Sequence, residues 1–137
     1  MWWIFALLSA LFAALTAIFA KMGIKNINTD LAVAIRTVVV LLMTWAILFF
    51  RSGVNQIPLL TKSNIIFLVL SGITTGLSWI FYFRAIDIGK VSQVAPVDKL
   101  SLALTIIFSV IFLGETVSMK TAIGASCIII GTVIMIL

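Results

Sequence analysis

Five apolar runs, each about as long as a membrane is thick, dominate this chain: residues 1–20, 31–50, 64–83, 91–113 and 121–137. A helix rises about 1.5 Å per residue, so about 20 mostly apolar residues cross a hydrocarbon core of about 30 Å. The runs are continuous and lack the period-two alternation of barrel strands, which disfavours a β-barrel. Hydrophobic residues make up 64% of the chain and charged residues 9%, against about 25% charged in a soluble domain. So few charges cannot coat a water-soluble globule of this size, and disorder needs the opposite composition. The expected fold is all-α: a polytopic transmembrane helix bundle with five transmembrane helices in a single domain, 1–137.

The breaks between runs carry the polar residues. Met1 to Ala20 has no charge and ends at Lys21; with no basic residue ahead of it, and longer than a signal-peptide core, it reads as a retained span. Gly23 to Asp30 is a polar turn in which Thr29 or Asp30 would cap the second helix. Arg51 to Ser63, holding Gly53, Asn55, Pro58 and Lys62, is the longest loop. Asp87, Gly89 and Lys90 form a tight connection, Gly114 and Glu115 break the chain again, and Lys120 precedes the last span.

Several functions are excluded by what is missing. There is no histidine, and Cys127 is the one cysteine. An intrachain disulfide and a Cys/His metal site are therefore ruled out, and the commonest general base is absent. No G-x-x-x-x-G-K-[ST] nucleotide motif occurs. The net charge of +5 is scattered singly between apolar runs and forms no stripe, so nucleic acid is not the expected partner. The expectation is a protein that is not an enzyme and takes no cofactor or metal.

An odd number of spans puts the termini on opposite faces. On the amino-terminal face lie Arg51, Lys62 and Lys120; on the other lie Lys21, Lys25, Arg84 and Lys90. Lys/Arg bias sets orientation, and three against four barely does so. Arg36 and Lys99, inside spans but nearer the second face, widen it to three against six and place that face, with the carboxyl terminus, in the cytoplasm. The near tie equally suits copies that insert both ways and pair antiparallel.

From Tyr82 onward the sequence carries a recognisable pattern. It runs Tyr82-Phe83-Arg84-Ala85, Gly89, Val94-Ala95-Pro96 before a long apolar helix, Leu113-Gly114-Glu115, then Gly124 and Gly131. This resembles the EamA-type domain of the drug/metabolite transporter superfamily, covering the carboxyl-terminal half well and matching one whole domain in span count. The resemblance implies a transporter of the cell membrane, usually an exporter of a small metabolite, amino acid or drug-like solute. Most relatives carry two such domains as an inverted repeat, with substrate near the midplane between them. One domain implies that a second copy, or a different five-span protein, supplies the other half.

The charges at depth are the candidate site. Asp98 and Lys99 together cost about 5–7 kcal/mol at a helix centre, and the apolar residues of their span return about 4–8. That helix should not sit alone in lipid, so its charges face protein or water. Asp98 and Arg36 both lie about 8–10 Å below the same face, so an Arg36–Asp98 pair is geometrically allowed; Lys99 projects about 100° away and would snorkel or line a cavity. Two readings stand: a structural ion pair with a snorkelling lysine, or a substrate or proton pathway with Asp98 as carrier. Pro96 removes a backbone donor and would open the helix beside Asp98, or it is simply tolerated near the first turns. Trp79, deeper than the interfacial anchor Tyr82, would pack in the core or line the cavity. Gly72-x-x-x-Gly76, Gly124 and Gly131 suggest close helix packing. Trp2 and Trp3 belong to the interface belt, and Glu115 favours the positive end of the last helix. The expected function is alternating access by a half-transporter in a dimer. The rival is a heteromeric or non-transporting subunit that organises a partner protein or lipid.

Overall fold

A computed structural model describes residues 1–51 and 53–137, except for the side chain of Gln56; Ser52, inside the expected loop 51–63, lies outside the described residues. Six α-helices and one 3₁₀ helix account for most of them, with no strand among the described residues. They are α1 (Trp2–Gly23), α2 (Thr29–Phe50), the 3₁₀ helix Gly53–Leu59, α3 (Lys62–Ile88), α4 (Val91–Asp98), α5 (Ser101–Leu113) and α6 (Met119–Ile136). Taking Val91–Leu113 as one span, five segments are long and apolar enough to cross a membrane. The chain is all-α and multi-pass in character.

Helix ends depart from the apolar boundaries because a charge ends an apolar run without ending a helix. Lys21 and Arg84 both lie within helices that continue past them. The cap of α2 is neither Thr29 nor Asp30 but Asn28, whose Oδ1 accepts from the amides of Asp30 at 2.7 Å and Leu31 at 3.4 Å. Asn26, at φ 63°, takes the left-handed turn that Asn tolerates better than most residues. Asp30 is thereby left in the first turn of α2, where a carboxylate suits the helix dipole.

The chain divides into two compact units. Unit 2 comprises residues 18–87. Its buried residues are Ile24, Val33, Phe83 and Ile86, the last with no exposed surface. Val33 and Arg36 share one face of α2, and Trp79, Phe83 and Ile86 share one face of α3, by the three- and four-residue spacing of a helix. The Lys21 ammonium, at the end of α1, donates to the carbonyl of Ile86 and, at 3.1 Å, to that of Asp87. The last turn of a helix leaves carbonyls without partners, and this lysine satisfies two of them.

Unit 1 comprises residues 1–17 and 88–137, and in it α6 packs on α4 and α5. The α5–α6 connection turns on Gly114, whose φ of 66° is the left-handed conformation that costs a glycine least. That turn brings the amide of Glu115 to 3.2 Å from the Ser109 carbonyl. Ser118 caps α6, its Oγ accepting from the Thr121 amide at 3.1 Å. Large apolar side chains such as Phe50, Ile88 and Leu113 stand exposed along these helices. Lipid is the solvent that makes this arrangement tolerable.

Candidate functional site

The expected fourth helix is interrupted at Lys99 and Leu100. Pro96, the sixth residue of α4, has no amide to donate, and the ladder beyond it shortens to three-residue bonds. Lys99 donates to the Pro96 carbonyl, Leu100 to Val97 and Leu102 to Lys99, each at 3.0 Å. Tighter 3₁₀ bonding of this kind in mid-helix often marks a hinge. The break comes three residues after the proline, not at it.

A second helix braces the break. The Thr132 hydroxyl on α6 lies 2.8 Å from the Ile128 carbonyl, one turn back, and 3.3 Å from the Pro96 carbonyl on α4. Thr132 is 4% exposed and is the buried polar residue of the described chain. Its one proton is shared between the two acceptors. No sequence signal singled out Thr132, since nothing local says which helix faces Pro96.

Asp98 and Lys99 sit at this break. The Lys99 ammonium lies 3.6 Å from the Asp98 carboxylate, with both side chains more than a third exposed. The two residues pair with each other although they are neighbours on the chain, because the helix ends between them. A pair this exposed stabilises little by itself.

Arg36 and Trp79 come together in unit 2. The guanidinium carbon lies 4.2 Å from the centroid of the Trp79 ring and 5.5 Å from that of Phe83. Arg36 is about 10 Å along α2 from its start. An arginine at a helix centre costs about 2.5–3.5 kcal/mol to insert, and a cation over an aromatic face returns about 0.5–2. The aromatic seat offsets only part of that cost. Phe83, the second ring, was legible in principle: it stands four residues after Trp79, on the same face.

At the rim of this unit Arg84 holds Asp30, its Nη2 lying 3.2 Å from Oδ1 and 3.1 Å from Oδ2. Each reaches across from a different helix, and both are exposed by more than half. The close packing expected at the glycines is not made by the described residues: a Cβ at Gly72, Gly76, Gly124 or Gly131 would meet no atom within 4 Å. No group of three or more potential metal-ligating side chains occurs among the described residues.

Apolar helices in membrane-spanning number define a multi-pass membrane protein. The chain belongs to the EamA-like transporter family, whose match runs over residues 1–137. It is 44% identical over 134 residues to an uncharacterized transporter in cobO 3'region of Sinorhizobium sp, covering 98% of this chain and 95% of that one. It is also 24% identical over 132 residues to an uncharacterized protein of Methanocaldococcus jannaschii, covering 96% of this chain and 93% of that protein. No solved structure matches it.

Proposed function

We propose that this chain is a half-transporter that exports a small metabolite, amino acid or drug-like solute across the cell membrane. A second copy, inserted in the opposite sense, completes it, and the two halves rock about a shared midplane passage. The observation that carries the reading is the broken fourth span with Asp98 and Lys99 at its break. Interrupted helices at membrane depth persist where they border protein or a wet cavity, and ionisable groups there mark transport pathways more often than scaffolding. Asp98 and Lys99 serve as polar lining, with Asp98 the carrier if protons drive export. Pro96 supplies the flexibility of the wall, and Arg36 and Trp79 also serve the substrate or ion pathway.

Two observations favour the second copy. The basic residues outside the spans divide three against four between the faces, and the glycine faces of α3 and α6 lie open. Cells loaded with labelled amino acids test the reading. Expression of the chain should lower the retained label, and the double replacement of Asp98 and Lys99 by Leu should abolish that loss while the protein still reaches the membrane. Equal efflux from the double variant would remove Asp98 and Lys99 from the pathway, and no efflux from the native chain would leave the rival, a subunit that organises a partner or lipid, in its place.

A further inference from the structure

We infer that Arg36, seated on Trp79, is an oxyanion-binding group, and that the solute it receives carries a carboxylate. The inference deepens the transport reading and rests on it for the claim that the bound anion is cargo. Three observations point the same way.

The first is how the guanidinium is held. Its central carbon lies over the Trp79 ring, 4.2 Å from the centroid, and 5.5 Å from that of Phe83. A ring face attracts the cation through its quadrupole and offers no lone pair, so this seat need not consume the N–H groups, which a guanidinium presents in its own plane. The in-plane edge remains the part that can take a carboxylate with two parallel hydrogen bonds.

The second is where the neighbouring carboxylate has gone. Asp30, on the same helix nearer the membrane surface, has both oxygens engaged by Arg84 at 3.1–3.2 Å. Within residues 18–87 the ion pair joins Arg84 to Asp30 and does not include Arg36. Arg84 at the rim thus keeps Asp30 from neutralising the deeper arginine.

The third is depth. Arg36 lies about two turns inside α2, where a cation without a counter-ion is expensive and an intramembrane ionisable group calls for a named partner. The aromatic seat repays part of the cost, and a bound anion supplies the remainder. Phe83 is 2% exposed while Arg36 and Trp79 are each half-buried, so the seat is fixed on its inner side and accessible on its outer one. The same chemistry would suit a lipid phosphate as well as a dissolved organic acid.

The test uses the full chain in nanodiscs of zwitterionic lipid, with Trp2, Trp3 and Trp45 replaced by Phe so that Trp79 reports alone. Phenylacetate and phenethylamine, which share a ring and differ in charge, are titrated separately. Phenylacetate should change Trp79 emission saturably and phenethylamine should not. Arg36→Gln should weaken the phenylacetate response at least tenfold, and Arg36→Lys should retain part of it. A parallel titration with phosphatidylglycerol in the nanodisc separates the sources. Competition between that lipid and phenylacetate supports one shared site, whereas a response to the lipid alone, with phenylacetate silent, overturns the assignment of cargo. Equal responses to acid and amine, or an unchanged response in Arg36→Gln, overturn the site itself. Should both Arg36 variants fail to fold, the acid–amine comparison on the native residue still decides. Because binding needs no flux, a positive titration with no export would sink the transport reading and the claim that the anion is cargo, while leaving the oxyanion site in place. Export of amines with Trp79 silent would sink this inference alone.

Discussion

Replacing Thr132 by Val removes a hydroxyl and keeps the side-chain volume nearly constant, so it isolates the brace between α6 and α4. The hydroxyl is buried and lies within 3.3 Å of the Pro96 carbonyl and 2.8 Å of the Ile128 carbonyl. The Pro96 carbonyl still accepts from Lys99 at 3.0 Å, so the loss amounts to one hydrogen bond and not to an orphaned buried group. One such bond is worth about 0.5–1.5 kcal/mol net, a factor of about 2 to 12 in the equilibrium for opening the break. Amide hydrogen exchange by mass spectrometry in nanodiscs should show peptides spanning Lys99 and Leu100 exchanging faster by that factor. Thr132→Ser should restore the native rate. Ser126, exposed on the same helix and bonded to the Ala122 carbonyl at 3.0 Å, provides the control: Ser126→Ala should leave the break unaffected. If Thr132→Val and Ser126→Ala gave the same exchange at the break, the hydroxyl would have no part in holding it.

Other consequences follow from the local geometry. Asn28→Ala removes the cap of α2 and should cost about 0.5–2 kcal/mol, read by denaturant titration in detergent, whereas Thr29→Ala should change little. Gly114→Ala forces a Cβ into a left-handed conformation at φ 66° and should cost about 1–2 kcal/mol, read by thermal unfolding followed by circular dichroism. Asp30→Asn breaks an exposed ion pair and should cost less than about 1 kcal/mol, with the difference shrinking as salt is raised.

What was legible in the sequence was set by physics that acts along the chain. Five runs long enough to cross a bilayer are visible without knowing any contact, because backbone satisfaction in lipid allows little besides helices. Helix ends were less legible, since the apolar run and the hydrogen-bonded ladder stop for different reasons. At Arg84 the apolar run stops but the ladder continues to Ile88, where Lys21 from another helix caps its carbonyls. Pro96 and Asp98 announced a disturbance in the fourth span, yet its position three residues on depends on the bonds made around Lys99 and Leu100. Arg36 and Trp79 were each picked out by depth and type. Their contact is not legible in the sequence, because depth places residues on a common level but not on a common side. Depth also suggests an Arg36–Asp98 pair; within their own units the arginine lies over Trp79 and Asp98 lies beside Lys99. Locally, Asp30 reads as a possible cap and Arg84 as a topology charge and a member of the Tyr82-Phe83-Arg84-Ala85 pattern, whereas their pairing across α2 and α3 is tertiary information. Thr132 had no local signature.

The account turns on a second copy inverted with respect to the first, and the most direct measurement is of insertion sense. Alkaline phosphatase, active only outside the cytoplasm, and green fluorescent protein, fluorescent only within it, can be fused in turn to the carboxyl terminus. The three-against-four division of the basic residues outside the spans predicts that both fusions report at comparable levels, as expected when copies insert both ways. If only one reporter were active, with the fusion protein intact in the membrane, every copy would share one orientation and the antiparallel half-transporter would be contradicted.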